Sequence, residues 1–316
     1  MSTASEQPRE LIWRAQGSYD LHATVGIVQR SSTDPCAVFH QGAWWFAFHT
    51  PLGPATLSLR QIGTEVRAQA LGPGAEAALE GVPALLGAED DWSEFDSASF
   101  QASLPAHVRE ARRRHPGLRL PSTGRILDSL IPLILEQKVT GKEAFSGYRR
   151  LINQYGSTPP GAQLSGFPPR LRLAPSAAVW SKIPSWHWHQ AGVGPQRSDT
   201  VMRALQRASA LERLGRLNAT QAGAGLQSIS GIGPWTAAEV TQRSHGDPDA
   251  VAVGDYHLPG FVGIALTGEA VDDDGMLELL EPWRGHRQRV VRMLYLSGIS
   301  KERHGPRMSV RDYRRI

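Results

Sequence analysis

The stretch "SISGIGPWTAAEV", residues 228–240, decides how the rest of this 316-residue chain is read. Gly231-Ile232-Gly233 is followed at once by Pro234 and a helix-forming run. Glycine is costly inside a helix or strand, so two glycines bracketing one residue mark backbone that turns tightly or is closely approached. Pro234 is suited to the first position of a helix, where its missing N–H costs nothing. The pattern therefore predicts a helix over 219–228, a tight turn, and a second helix over 234–243, with Ile232 pointing into the packing between them. The N–H groups of Gly231, Gly233 and the following first turn are left unpaired at a positive helix end. That is an anion site of a size for a phosphate.

Composition bounds the surroundings. Hydrophobic residues make up 41 % and charged residues 20 %, ordinary values for a soluble globular protein. No apolar run approaches the roughly 20 residues of a membrane span. The opening "MSTASEQPRE" has no basic-then-apolar leader pattern, and the expected compartment is the cytoplasm. Cys36 is the only cysteine, which excludes an internal disulfide and any four-cysteine zinc or iron–sulfur site. The net charge is only +4, but basic residues cluster. They gather in "HVREARRRHPGLRL", in "WRGHRQRVVR" and in the tail "KERHGPRMSVRDYRRI". Such runs are usually solvated faces; three of them with a pI near 9.4 tilt toward a polyanionic partner.

Residues 36–60 alternate and are punctuated by "HQG" and "PLGP", which predicts antiparallel strands. "AEAALEGVPALLG" reads as a short helix against that sheet, and the acidic "AEDDWSEFD" as a linker. From Leu104 onward helical patterns separated by Pro and Gly dominate. The expected fold is mainly α with an α+β part: a small antiparallel-sheet domain over 1–104 and an all-helical domain over 105–316, with the hairpin at 226–240. "GSTPPGAQLSGFPPR" reads as a long connection, and "WHWHQ" (186–190) as a strand-like turn lacking a third metal ligand at proper spacing.

About twenty residues past the hairpin stands "AVAVGDYHLPG". Asp255, before an apolar run, is an ordinary helix cap on its own. Hairpin and aspartate together resemble the helix–hairpin–helix DNA glycosylases, over about Leu120 to Gly298. The sheet region is similar to the one that precedes the helical part in the AlkA-like 3-methyladenine DNA glycosylase II branch. The resemblance implies that Asp255 is catalytic, stabilising the oxocarbenium-like sugar as the base leaves and orienting a water. It also implies base flipping from duplex DNA containing a damaged base, by a monomer. The family's bifunctional members carry a lysine two residues after the second glycine, as a Schiff-base nucleophile. That position is Trp235 here, so a monofunctional enzyme without AP lyase activity is expected. The missing cysteines separate the chain from the cluster-bearing branches.

Trp235, Tyr256 and Trp283 match pocket aromatics of the alkylated-purine branch, where electron-rich rings suit cationic bases; core packing is the alternative for each. Glu239 stands where that branch has a tyrosine, one helical turn past Trp235. It either lines the pocket or pairs with an arginine. Lys138 occupies the position of the residue that fills the gap left by a flipped base, with Gln137 beside it. By resemblance Gly231, Gly233, Thr236, Gln137, Lys138 and Arg284 contact DNA, and the carbonyls of Gln227, Ile229 and Ile232 hold a monovalent Na+ or K+. Excision of alkylated purines is the first reading. An oxidised or deaminated base as substrate, or a non-catalytic binder of DNA structure, are the alternatives.

Overall fold

A computed structural model describes residues 7–299; the basic tail at 301–316 lies outside the described residues. Five strands form one antiparallel sheet in the order β1-β5-β4-β3-β2. They are β1 (Arg9–Arg14), β2 (Ala37–His40), β3 (Ala43–Thr50), β4 (Gly53–Ile62) and β5 (Glu65–Leu71). The β2–β3 turn is the two-residue kind that needs positive φ at both positions, supplied by Gln41 (φ 48°) and Gly42 (φ 74°). β1 and β5 add two strands that the alternation of 36–60 did not announce.

One sheet face packs Trp44, Phe46, Leu57 and Leu59 against the short helices Ala75–Glu80 and Val82–Leu85. On the other, Val38 and Ala47 meet Leu171 and Leu173. The Pro- and Gly-rich connection therefore folds back across the sheet. The Thr56 hydroxyl donates to the Pro160 carbonyl at 2.8 Å, and Ser157 bridges to Leu173. The predicted mainly helical architecture with a small antiparallel sheet is what the chain adopts.

The helical body has two cores. One gathers Leu130, Ile134, Leu151, Leu226, Ile229, Ile232 and Val240, chiefly from helices Ile126–Glu136, Gly141–Tyr155 and Pro234–Ser244. The second joins Phe261, Val262, Met276, Val290 and Leu294 from the C-terminal helices. Trp235 packs against both. Among the described residues no helix is long and apolar enough to cross a membrane.

Two local expectations are corrected. "AEDDWSEFD" is not a linker: Trp92 and Phe95 are 4 % and 0 % exposed and belong to the second core. Its acids are structural. Asp90 accepts from Arg289, from the Trp92 indole and from the Leu120 N–H, and Asp96 pairs with Arg112 at 2.7 Å. An acidic run poor in aliphatics looked solvated, but two aromatics supply the apolar area and two buried arginines the counter-charge. "WHWHQ" lies in a helix, Ser185–Gln190, rather than a strand-like turn. Its Trp188 is buried, stacked on Trp180, while His187 meets the Tyr155 hydroxyl.

Candidate active site

Helix Ala219–Gln227 runs into the turn and helix Pro234–Ser244 runs out of it. Ile229 and Ile232 are each 4 % exposed, so the apolar residue between the glycines anchors the turn to the first core. The two glycines answer different demands. Gly231 has φ +95°, and a Cβ there would lie 2.5 Å from the Thr200 hydroxyl oxygen. Its side chain is excluded from within. A Cβ on Gly233 would meet nothing within 4 Å, and its backbone is extended (φ −96°, ψ −177°). Gly233 caps the helix without any side-chain hydrogen bond, so the positive end of Pro234–Ser244 is open at an exposed turn.

Behind the turn, Gln137 joins two elements. Its side-chain amide donates to the Gly231 carbonyl and to the Thr236 hydroxyl, both at 2.9 Å. Thr236 is 2 % exposed. Gln137 and Thr236 thus act first as a brace that holds the hairpin to the end of helix Ile126–Glu136. The next residue, Lys138, is exposed at φ +54°, a region that costs a non-glycine residue on the order of 1 kcal/mol.

Asp255 is half-buried just ahead of helix Leu258–Thr267. Its Oδ1 accepts from the His257 and Leu258 N–H groups at 2.7 and 2.9 Å, and its Oδ2 accepts from the Trp235 indole N–H at 3.1 Å. The cap position of that helix is His257, two residues on, so Asp255 is not its N-cap; the Asp255 Oδ1 secures the turn into the helix while its Oδ2 holds the hairpin tryptophan. Both carboxylate oxygens thus accept from N–H donors. Tyr256 is 87 % exposed, its ring edge-on to His257. Trp283 is 7 % exposed in the second core, where its indole donates to the Ser103 hydroxyl at 3.1 Å. So the structure joins Trp235 to Asp255, leaves Tyr256 at the open rim, and embeds Trp283 behind.

Glu239 resolves toward the arginine side of its two readings. Arg30 reaches it at 3.3 Å and Arg243 at 3.0 Å, while Arg30 also pairs with Glu136 at 2.6 Å. Burial pushes the Glu239 carboxyl up, but Arg243 and Arg30 outweigh it and hold the group below the usual range. Arg243 is lowered to about 10, by burial first and by Arg30 second. Its Nε donates to the Ile27 carbonyl at 3.1 Å. The sheet-bearing region thereby contributes Arg30 and Ile27 to the polar cluster on the helix that carries Trp235.

Two further groups complete the surroundings, both from helix Arg287–Leu296. Tyr295 stacks on Phe261, with centroids 4.6 Å apart. It is 55 % exposed as a residue, yet burial at the hydroxyl pushes the phenol up to about 12, with Asp255 and Glu239 adding and Arg292 opposing. Arg292 donates to the Ala23 carbonyl at 3.3 Å, and its Nε is buried with no hydrogen-bond partner among the described residues. Sequence reasoning missed Arg30, Arg243, Arg292 and Tyr295. The four-residue spacing of Glu239 and Arg243 was the one local signal; Arg30 lies about 200 residues away and carried none.

The basic runs are less free than their sequence suggests. Arg112 and Arg289 are buried in ion pairs, Arg113 and Arg114 share Glu110, and Arg287 pairs with Asp249. Arg284 is exposed and pairs with Glu281 at 2.8 Å.

No protein-family model matches this sequence, and no curated protein does. The three-dimensional arrangement does have relatives among solved structures. A 3-methyladenine DNA glycosylase from Archaeoglobus fulgidus superposes with a TM-score of 0.73 at 15 % identity, covering 91 % of this chain and 98 % of that one. An 8-oxoguanine glycosylase/lyase from Clostridium acetobutylicum, bound to duplex DNA with cytosine opposite 8-oxoguanine, gives 0.67 at 13 % identity, covering 92 % and 96 %. Its form without DNA gives 0.68 at 13 % identity, covering 92 % and 98 %. The fold is that of the helix–hairpin–helix DNA glycosylases.

Proposed function

We propose that this chain is a DNA glycosylase of base excision repair, monofunctional, releasing a damaged base from duplex DNA by hydrolysis. The observation that carries the reading is the Trp235–Asp255 hydrogen bond, which ties a carboxylate to an exposed, uncapped hairpin. The hairpin N–H groups take a phosphate of the DNA backbone. Asp255, fixed through both oxygens, presents negative charge to the sugar as C1′ becomes oxocarbenium-like. A carboxylate so positioned also orients the attacking water. Trp235 stands where covalent members of the fold place an amine, so water is the acceptor and an abasic site the product.

The carbonyls of Gln227, Ile229 and Ile232 are the proposed seat of a monovalent cation. The Ile229 carbonyl already accepts from the Ile232 N–H at 3.0 Å and keeps one lone pair for such an ion. With Trp235 at the carboxylate and Tyr256 at the open rim, the first reading of the substrate is an alkylated purine. The second, an oxidised or deaminated base, is favoured by one observation: an 8-oxoguanine glycosylase/lyase shares the fold over 92 % of this chain.

Asp255→Asn tests the mechanism. Base release in single turnover is expected to fall on the order of 1,000-fold, while binding to a duplex with an abasic-site analogue stays within a few-fold. Undiminished release by this variant overturns the assignment of Asp255. Borohydride is expected to trap no covalent adduct on lesion DNA; an efficient adduct overturns the monofunctional reading. Tight binding of intact duplex with no release of any base identifies a non-catalytic binder instead.

A further inference from the structure

The hairpin turn is held by two side chains from outside it. Arg203, on helix Pro195–Leu205, is half-buried. Its Nε donates to the Ser230 carbonyl at 2.9 Å and its Nη2 to the Thr200 hydroxyl at 2.8 Å. Thr200 is 3 % exposed and donates in turn to the Gln196 carbonyl at 2.8 Å, which leaves its oxygen as the acceptor for Arg203. From another element, Gln137 takes the Gly231 carbonyl at 2.9 Å. In a planar trans peptide the C=O and the N–H point in opposite directions. The two carbonyl contacts therefore set the direction of the two N–H groups that follow. The Ile232 N–H, of the peptide that Gln137 holds, closes on the Ile229 carbonyl at 3.0 Å. The Gly231 N–H, of the peptide that Arg203 holds, points away from the guanidinium. It has no acceptor among the described residues, and Gly231 is exposed. The missing side chain also makes room for the cation: a Cβ on Gly231 would stand 3.1 Å from the Arg203 Nη2. Asp199 lies one turn back on the same helix, yet Arg203 forms no ion pair among the described residues. Its charge is not cancelled at the turn.

We infer that Arg203 is a positioning residue for the DNA backbone, which aims the Gly231 N–H at a phosphate and strengthens it as a donor. This rests on the phosphate contact of the hairpin in the glycosylase reading. The Arg203–Ser230 hydrogen bond is charge-assisted. It draws electron density toward the carbonyl oxygen and leaves the N–H of the same peptide more positive, as in any chain of hydrogen bonds that polarise one another. An anion at the turn then meets that N–H, the open positive end of helix Pro234–Ser244 and, across one peptide unit, a guanidinium. Without Arg203 the Ser230–Gly231 peptide loses its inner anchor. Glycine restrains its backbone less than any other residue, so the peptide would have to be ordered by the incoming phosphate, and that entropy would be subtracted from binding. Gln137 serves differently: the peptide it holds is already closed within the turn, and its contact with Thr236 ties the hairpin to the end of helix Ile126–Glu136.

The test uses the full chain and a duplex carrying an abasic-site analogue, made as a series in which one phosphate at a time is an uncharged methylphosphonate. In the wild-type protein, replacing the phosphate seated at the hairpin is expected to weaken binding about 10-fold, the scale of a hydrogen bond to a charged group. The same position is recognised independently, because Gly233→Ala is expected to blunt its penalty as well. Arg203→Met is expected to weaken binding of the all-phosphate duplex about 10-fold and to shrink the penalty at that one position to about 2-fold, while the other positions keep theirs. A merely structural defect lowers every affinity and leaves the pattern of penalties in place. Arg203→Lys keeps a charge and a donor, and it is expected to recover most of the affinity and of the penalty. Arg203→Gln, shorter and neutral, carries the same comparison if the methionine variant folds poorly. A full penalty at the hairpin phosphate in Arg203→Met or Arg203→Gln overturns the role of Arg203 and leaves the glycosylase reading standing. A wild-type series with no position that Gly233→Ala blunts overturns the hairpin phosphate contact and this inference with it. Base release by the wild-type protein decides the glycosylase reading separately.

Discussion

Two clusters of buried arginine lie in the same helical body and are built on different plans. Around Trp92, two guanidiniums meet two carboxylates: Arg289 with Asp90 and Arg112 with Asp96, with both cations over the indole ring at 4.8 and 3.9 Å. On the helix that carries Trp235 the carboxylates are shared instead: Glu239 pairs with both Arg30 and Arg243, and Arg30 spans Glu239 and Glu136. In the first cluster each cation has its own anion and fastens one element to another. In the second, one carboxylate serves two cations, so its removal is felt by both.

The largest expected effect breaks the balanced cluster. Asp90→Ala strands Arg289 and also orphans the Trp92 indole and the Leu120 N–H. Removing one partner of a buried pair costs about 3–5 kcal/mol, read as a drop in unfolding free energy in denaturant. Base release, measured on protein that remains folded, is expected to hold. A stability loss below about 1 kcal/mol, or impaired release by folded protein, would mean that this cluster is not a fastening alone.

Glu239→Gln sharpens the other side. It removes the charge that separates Arg30 from Arg243 but leaves Glu136 in place, for a loss of about 2–3 kcal/mol, the scale of a charged hydrogen bond. The effect has a pH signature. The Glu239 carboxyl is held below its ordinary value in the folded protein, because Arg243 and Arg30 outweigh the opposing effect of burial. Its stabilisation is therefore fully present above the ordinary glutamate pKa, about 4.3. It is lost as pH falls through the lower folded value. The gap between wild type and Glu239→Gln is expected to be widest near neutrality and to close below about pH 4. A gap that stays constant into acid would show that packing, not charge, accounts for the loss.

Much of the fold was legible because its signals are local. Gly-Ile-Gly-Pro fixes a turn between two helices, and the alternation of 36–60 fixes strands, whatever else the chain does. The pairing of Asp255 with the hairpin was legible from its distance to it, but the cap was not, because the cap position falls two residues on, at His257. What stayed hidden depends on partners far apart in sequence. "AEDDWSEFD" reads as solvent-facing until Arg112 and Arg289 are placed beside it. Trp283 is a pocket aromatic by motif, yet its indole is held by Ser103, 180 residues away. The Arg30–Glu239 pair is invisible locally, because its members stand 209 residues apart.

The smallest expected effect separates the two glycines on the same grounds, inward against outward demand. Gly231→Ala forces a Cβ into the left-handed region and against Thr200, which Arg203 holds by a 2.8 Å hydrogen bond. About 1–2 kcal/mol of stability is expected to be lost from the backbone term alone. Gly233→Ala meets nothing within 4 Å at an ordinary φ of −96°. Its melting is expected to stay within the equivalent of about 0.5 kcal/mol of wild type. A methyl group there stands in front of the open helix end, so duplex binding is expected to weaken a few-fold, with the loss persisting across lesions because a phosphate contact reads no sequence. Unchanged binding by Gly233→Ala would move the phosphate contact off Gly233 and leave the turn with an internal role only.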